Sequence, residues 1–131
     1  MNRDLGLLIL RLGLGGMLMT HGWGKLQKIL AGDFDFSDPF GIGPAPSLVL
    51  ACGAELLFSF LVALGVRVRW TAIPPAIAMA TASFIAHAGD PFGRREKALL
   101  FLVGFVALAL TGGGSYTVEA LFGKRGRAAK A

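Results

Sequence analysis

Glu55 is an acidic residue set inside an apolar run, SLVLACGAELLFSFLVALGV (Ser47 to Val66). If that run is a helix crossing a bilayer, Glu55 sits about 12 Å from its start at a rise of 1.5 Å per residue. Inserting an acidic side chain at that depth costs on the order of 3 kcal/mol, so it must be protonated, paired with a cation or turned toward a wet cavity. Two roles follow: a proton-handling or ligand-binding carboxylate, or a structural ion pair that locks neighbouring helices. Cys52, Glu55 and Ser59 share one face of that helix.

His21 and His87 reach similar depths on helices antiparallel to that of Glu55. Lys25 lies one turn beyond His21 on the same face, and Asp90, Arg94 and Glu96 follow His87. Polarity is thereby concentrated at one end of the molecule. Two opposed histidines can ligate haem, but no attachment motif accompanies them, which makes haem the weaker reading. Hydrogen bonding to Glu55 or to loop carbonyls, proton transfer, and binding of a quinone head group are the other uses. Lys25 is suited to orient an anionic group. Arg11, about 9 Å into the first helix, either snorkels to the interface or pairs with a substrate or lipid phosphate. No cysteine or carboxylate spacing supports a zinc site. Cys52 is the only cysteine, which excludes an autonomous two-thiol exchange cycle.

These side chains need positioning elements, and the composition says which kind. Apolar residues make up 54% of the 131-residue chain and charged ones 16%, against about 25% charged in an average soluble domain. A chain this short has too much surface to hide that much apolar material from water, whereas a bilayer removes the difficulty. One domain, residues 1–131, is expected. The formal charge of +5 does not point to nucleic acid, because the basic residues form short clusters between apolar stretches. The start, MNRDLGLLIL, resembles a signal peptide, but Arg11 interrupts the apolar run and no small-residue cleavage site follows, so it is expected to be retained.

Four stretches approach spanning length, at about 5–30, 47–66, 70–88 and 97–112, with a basic tail at 124–131. A span needs about 20 apolar residues, because only a helix satisfies its own backbone across the hydrocarbon. The expected fold is all-α, a four-transmembrane-helix bundle with both termini on one side. That side carries Arg3, Arg67, Arg69, Lys124, Arg125, Arg127 and Lys130, while the other carries Lys25, Lys28, Arg94, Arg95 and Lys97. The excess of positive charge places the termini in the cytoplasm. The fourth stretch is the shortest. Pro74 and Pro75 fall near the start of the third, where missing amide hydrogens matter least, although a kink is equally compatible with them. Arg67, Arg69 and Trp70 read as an interfacial anchor.

The first helix has two distinctive faces. Gly6, Gly13, Gly16, Thr20 and Gly24 fall in a narrow arc that suits close packing, while Arg11, His21, Lys25 and Lys28 fall in a second arc of comparable width, about 130° around the helix from the first. Glycine-lined faces also permit a homo-oligomer without requiring one.

The ordered set RLGLGGMLMTHGWGKL (Arg11 to Leu26), GAELLFSFLVALGVRVR (Gly53 to Arg69), FIAHAGDPF (Phe84 to Phe92) and EKALLFLVGFVALALTGGGSYTVEALFG (Glu96 to Gly123) resembles the DoxX family of small membrane proteins over nearly the whole chain. The resemblance implies a bundle in the cytoplasmic membrane, with His21, Lys25, Glu55, His87 and Glu96 matching the family's polar pattern. It also implies a link to quinone-associated redox complexes, with a quinone or a soluble oxidoreductase as partner. In that reading Glu55, His21 and His87 handle protons, with the histidines hydrogen-bonded to Glu55, while Lys25, Arg11 and Glu96 bind ligand. A non-catalytic scaffold or small carrier is the rival, and no flavin, dinucleotide or iron–sulfur motif names a reaction.

Overall fold

The structure is a computed structural model that describes residues 2–36, 38–86 and 88–122. It is all-helical, with no strand among those residues. His87 and the basic tail lie outside them.

Helix α1 (Asn2–Leu30) runs through the first apolar stretch. It stops where Gly32 adopts a left-handed φ of 75° and the Asp33 amide donates back to the Lys28 carbonyl at 2.9 Å. A glycine just past the last turn ends a helix in this way because it alone enters that conformation without strain. The Asp33 carboxylate accepts from the Asp35 amide at 3.1 Å and from Lys28 at 3.3 Å. The amide bond first and the ammonium second hold it below the ordinary carboxylate range.

Asp38 prepares the next helix by accepting from the Gly43 amide at 3.0 Å and the Ser47 hydroxyl at 3.2 Å. Helix α2 (Pro44–Cys52) then starts on a proline, where the missing N–H removes no helical bond. It continues without a break into a π-helical segment, π1 (Gly53–Phe58), and into α3 (Ser59–Leu64). The third stretch comprises α4 (Val68–Thr71), α5 (Ile73–Thr81) and a second π-helical segment, π2 (Ala82–Ala86). The break at Ala72 reflects Pro74 and Pro75, which cannot donate to the carbonyls four residues back. Helix α6 (Phe92–Thr111) has 20 residues. It is not confined to 97–112 as expected: it begins directly after Pro91 and takes Arg94, Arg95, Glu96 and Lys97 into its first turns.

Helix α1 packs on α2, π1 and α3 along one side and on α6 along another; α6 packs on α5, and α5 reaches π1. Leu7, Leu18, Val62, Val68, Phe105 and Leu108 fill the space between them. Many large apolar side chains, among them Ile9, Leu57, Leu100, Val103 and Leu110, stand on the outer faces. Contiguous exposure of that kind is rare on soluble monomers and marks contact with lipid or another protein. Two continuous helices, Asn2–Leu30 and Pro44–Leu64, are long and apolar enough to cross a membrane.

The close-packed face of α1 differs from the one expected. Gly6, Gly16 and Gly24 have no neighbour within 4 Å of where a Cβ would stand, and Gly13 has only the end of Met17. The buried line is Leu7, Arg11, Gly15, Leu18 and Gly22, spaced by three or four residues along one face of the helix. A Cβ on Gly22 would lie 2.6 Å from the Leu56 nitrogen and 2.8 Å from the Glu55 carbonyl carbon. Those are backbone atoms that cannot swing aside. Gly22→Ala should therefore destabilise the protein by about 1–3 kcal/mol through overpacking. Gly16→Ala should be neutral or stabilise by up to about 1 kcal/mol through helix propensity alone. Thermal unfolding of the two variants in one detergent checks this, and equal melting temperatures would refute the seam.

Candidate functional site

The backbone approach at Gly22 determines what happens one turn later. Lys25 continues the buried line of α1, and its ammonium reaches Glu55 of π1, with Nζ 2.6 Å from Oε2. Glu55 is only 4% exposed. No well-directed hydrogen bond reaches its Oε2 among the described residues, so the contact is one of charge and closeness more than of aligned lone pairs. On its other side Lys25 lies 5.9 Å from the centre of the Phe36 ring, a cation–π distance. An ammonium carries three donors and no acceptor. Glu55 and the Phe36 face occupy two directions around it.

The pair lines a cavity of about 440 Å³. Phe36 and Phe40 from the loop after α1, Leu50 of α2 and Ile77 of α5 also line it. Ser47 and Thr81 are the hydroxyl side chains in the lining. Both π-helical segments border the cavity, π1 through Ala54 and Glu55, π2 through Ala82 and Ala86. A π turn is wider than an α turn and recurs at functional sites, where it re-aims side chains that a regular helix would place elsewhere. The carbonyl of Ser83 in π2 accepts from Arg95 Nε at 2.9 Å, and the same guanidinium lies 5.5 Å from the Phe84 ring. Helix α6 thus fastens the second π segment.

The remaining residues expected at the site are dispersed. His21 does not pair with Glu55; its ring stands edge-on to Phe101 at 6.2 Å between centroids. Rotation along α1 explains this, since Lys25 and not His21 follows the buried line through Gly22. His87 lies outside the described residues. Glu96 is exposed near the start of α6 and does not line the cavity. Cys52 is buried, with Sγ 3.7 Å from the Gly22 carbonyl oxygen.

Arg11 does not snorkel. It is 1% exposed and donates to the carbonyls of Val62 at 3.1 Å, Ala63 at 3.2 Å, Gly113 at 2.7 Å and Tyr116 at 2.9 Å. Its stem turns inward to the end of α3, where carbonyls run short of helical amides and Val62 keeps only the Gly65 amide it shares with Leu61. Arg11 stands fourteen residues before Lys25, about 21 Å away along α1, and has no part in the cavity wall.

Phe36 and Phe40 were not singled out from the sequence. Their signal is the run DFDFSDPF (Asp33 to Phe40), in which aromatic side chains recur inside an otherwise polar loop. A solvated loop has no use for them, and a loop folded back over an apolar opening does.

A model of the DoxX family matches residues 6–88, more than half of the chain and the part that holds Lys25, Glu55 and most of the cavity. The chain is also similar to the inner membrane protein YqjF of Escherichia coli (strain K12). The two are 28% identical over 128 residues, covering 93% of this chain and 95% of that protein. No solved structure matches the chain.

Proposed function

This chain belongs to the DoxX family, and on that premise we propose that it is a subunit of a redox-linked complex in the cytoplasmic membrane that holds a quinone over Lys25 and Glu55. In this reading the chain forms a four-transmembrane-helix bundle with both termini in the cytoplasm, and the cavity lies in its outer half. The charge distribution supports that orientation, and the Escherichia coli relative, an inner membrane protein by name, supports the membrane location.

One observation carries the reading: a mostly apolar cavity lined by a lysine–glutamate pair. A quinone is a flat, uncharged ring with carbonyl oxygens at its edge. The apolar walls suit the ring, and the remaining donor of the Lys25 ammonium suits one carbonyl. Reduction to the quinol takes two electrons and two protons. The electrons would come from an oxidoreductase partner, since this sequence carries no flavin, dinucleotide or iron–sulfur motif of its own. Glu55 would pass protons to the reduced oxygen where water is scarce, as general acid catalysis requires. His21, one turn before Lys25, would supply protons to this group, and Glu96 at the start of α6 would meet the partner.

Glu55→Gln keeps the shape and removes the exchangeable proton. In native membranes it should lower quinone-dependent turnover by about 100-fold, within the range general acids contribute, while the protein still inserts. Unchanged turnover would take Glu55 out of the mechanism. A non-catalytic scaffold or carrier is the second reading, favoured by the way Lys25–Glu55 ties α1 to π1. It predicts purified protein without quinone in its lipid extract and without a haem Soret band.

A further inference from the structure

We infer that the cavity loads sideways from the bilayer, between α2 and α5 and past Leu50 and Ile77, so that its occupant is an uncharged molecule already dissolved in the membrane. The inference rests on the reading that a quinone binds over Lys25 and Glu55.

Leu50 and Ile77 both line the cavity, yet they are 64% and 57% exposed. Side chains that line the cavity and are also more than half exposed stand where it approaches the outer surface of the bundle. They stand well inside their helices. Leu50 is six residues past Pro44 and Ile77 nine before Ala86, depths of about 9 and 14 Å along the helices. In a four-span arrangement both depths fall within hydrocarbon about 30 Å thick. The rim continues with Phe40 and Ile42, again large, apolar and exposed. Against water such a rim loses free energy, whereas against acyl chains it is neutral.

The polar groups deepen the case. Glu55 already neutralises Lys25 at 2.6 Å, so an anion arriving at the pair gains no unpaired positive charge. An uncharged carbonyl oxygen needs only the remaining ammonium donor. Electrostatics and rim therefore agree on a neutral occupant approaching through lipid.

The test uses the full chain in phospholipid nanodiscs with two radiolabelled probes, a benzoquinone carrying a ten-carbon tail and the same ring without one, followed by rapid filtration. Leu50→Trp and Ile77→Trp narrow the opening and should slow both association and dissociation of the tailed quinone by about tenfold, whereas the tail-free ring, which can also arrive from water, should be slowed less. Leu50→Ala widens the opening and should speed association, which keeps the test decisive if a tryptophan variant fails to fold. Association of the tailed quinone at the unsubstituted rate in every folded variant, with equilibrium binding retained, would overturn the sideways route and leave the quinone reading standing. No saturable binding of either probe to the unsubstituted protein would sink both.

Discussion

Lys25→Met should destabilise the protein by roughly 3 kcal/mol or more, because removing one member of a buried ion pair leaves the other charge without compensation. The two members are not equivalent. Glu55 has 5% of its side chain exposed against 20% for Lys25, and its carboxylate hangs on a short stem in the seam between α1 and π1. Stranded by Lys25→Met, it has nowhere to go. Stranded by Glu55→Leu, the lysine can extend its four-carbon stem toward the loop and recover water, so that variant should lose only about 1–2 kcal/mol. The double variant Lys25→Met/Glu55→Leu should regain most of the loss, since apolar replacement of a whole buried pair is commonly neutral or better. Unfolding of the four proteins in one detergent gives the coupling directly. Strictly additive losses would mean that the 2.6 Å contact carries no energy. The same set separates lock from site: if the double variant is stable but no longer retains quinone, the pair binds ligand, and if it is stable and retains quinone undiminished, the pair is a lock alone.

Much of this was legible in the residues themselves. Pro74 and Pro75 act locally, through missing donors, and local effects are visible in a sequence, whereas the second stretch starts at Pro44 and ends before Gly65 instead of running from 47 to 66. Glu55 stood out because the penalty for an acid in an apolar helix depends on that helix alone. Its partner was harder to identify, because Lys25 and His21 share one arc of α1 and only the register of α1 against π1 decides between them. That register is fixed by Gly15 and Gly22, whose missing side chains admit the Ser59 carbonyl and the Glu55–Leu56 backbone. The glycines of the opposite stripe look the same in sequence and meet nothing beyond the end of Met17 at Gly13. Smoothness permits contact without specifying it. The π segments leave no periodic trace, since one widened turn shifts the pattern by less than a helical period tolerates. The first turns of α6 were read as loop because of their four consecutive charges, yet Pro91 immediately before Phe92 is itself a common prelude to a helix.

Arg11→Met should have the largest effect on folding of any single substitution considered. Four carbonyls converge on its guanidinium, two from the last turn of α3 and two from the segment after α6. The α3 carbonyls lie at a helix end, where the Gly65 amide is shared between Leu61 and Val62 and the helix dipole favours a cation. Each hydrogen bond to a charged group contributes about 1.5–3 kcal/mol, and part of that sum is offset because a buried charge disappears with them. The net loss should be about 4 kcal/mol, a large share of the 5–15 kcal/mol that typically separates folded from unfolded protein. Arg11→Lys keeps the charge but replaces a planar fork by a compact ammonium, which cannot span carbonyls on both segments, so it should recover less than half. Thermal unfolding in detergent measures both variants, and a melting temperature for Arg11→Met within a degree or two of the unsubstituted protein would show that the four bonds add nothing. Quinone binding adds an independent control. Arg11 lies about 21 Å along α1 from Lys25, so the folded fraction of Arg11→Lys should bind the ring with unchanged affinity. A weakened affinity in that fraction would instead make Arg11 part of the ligand site.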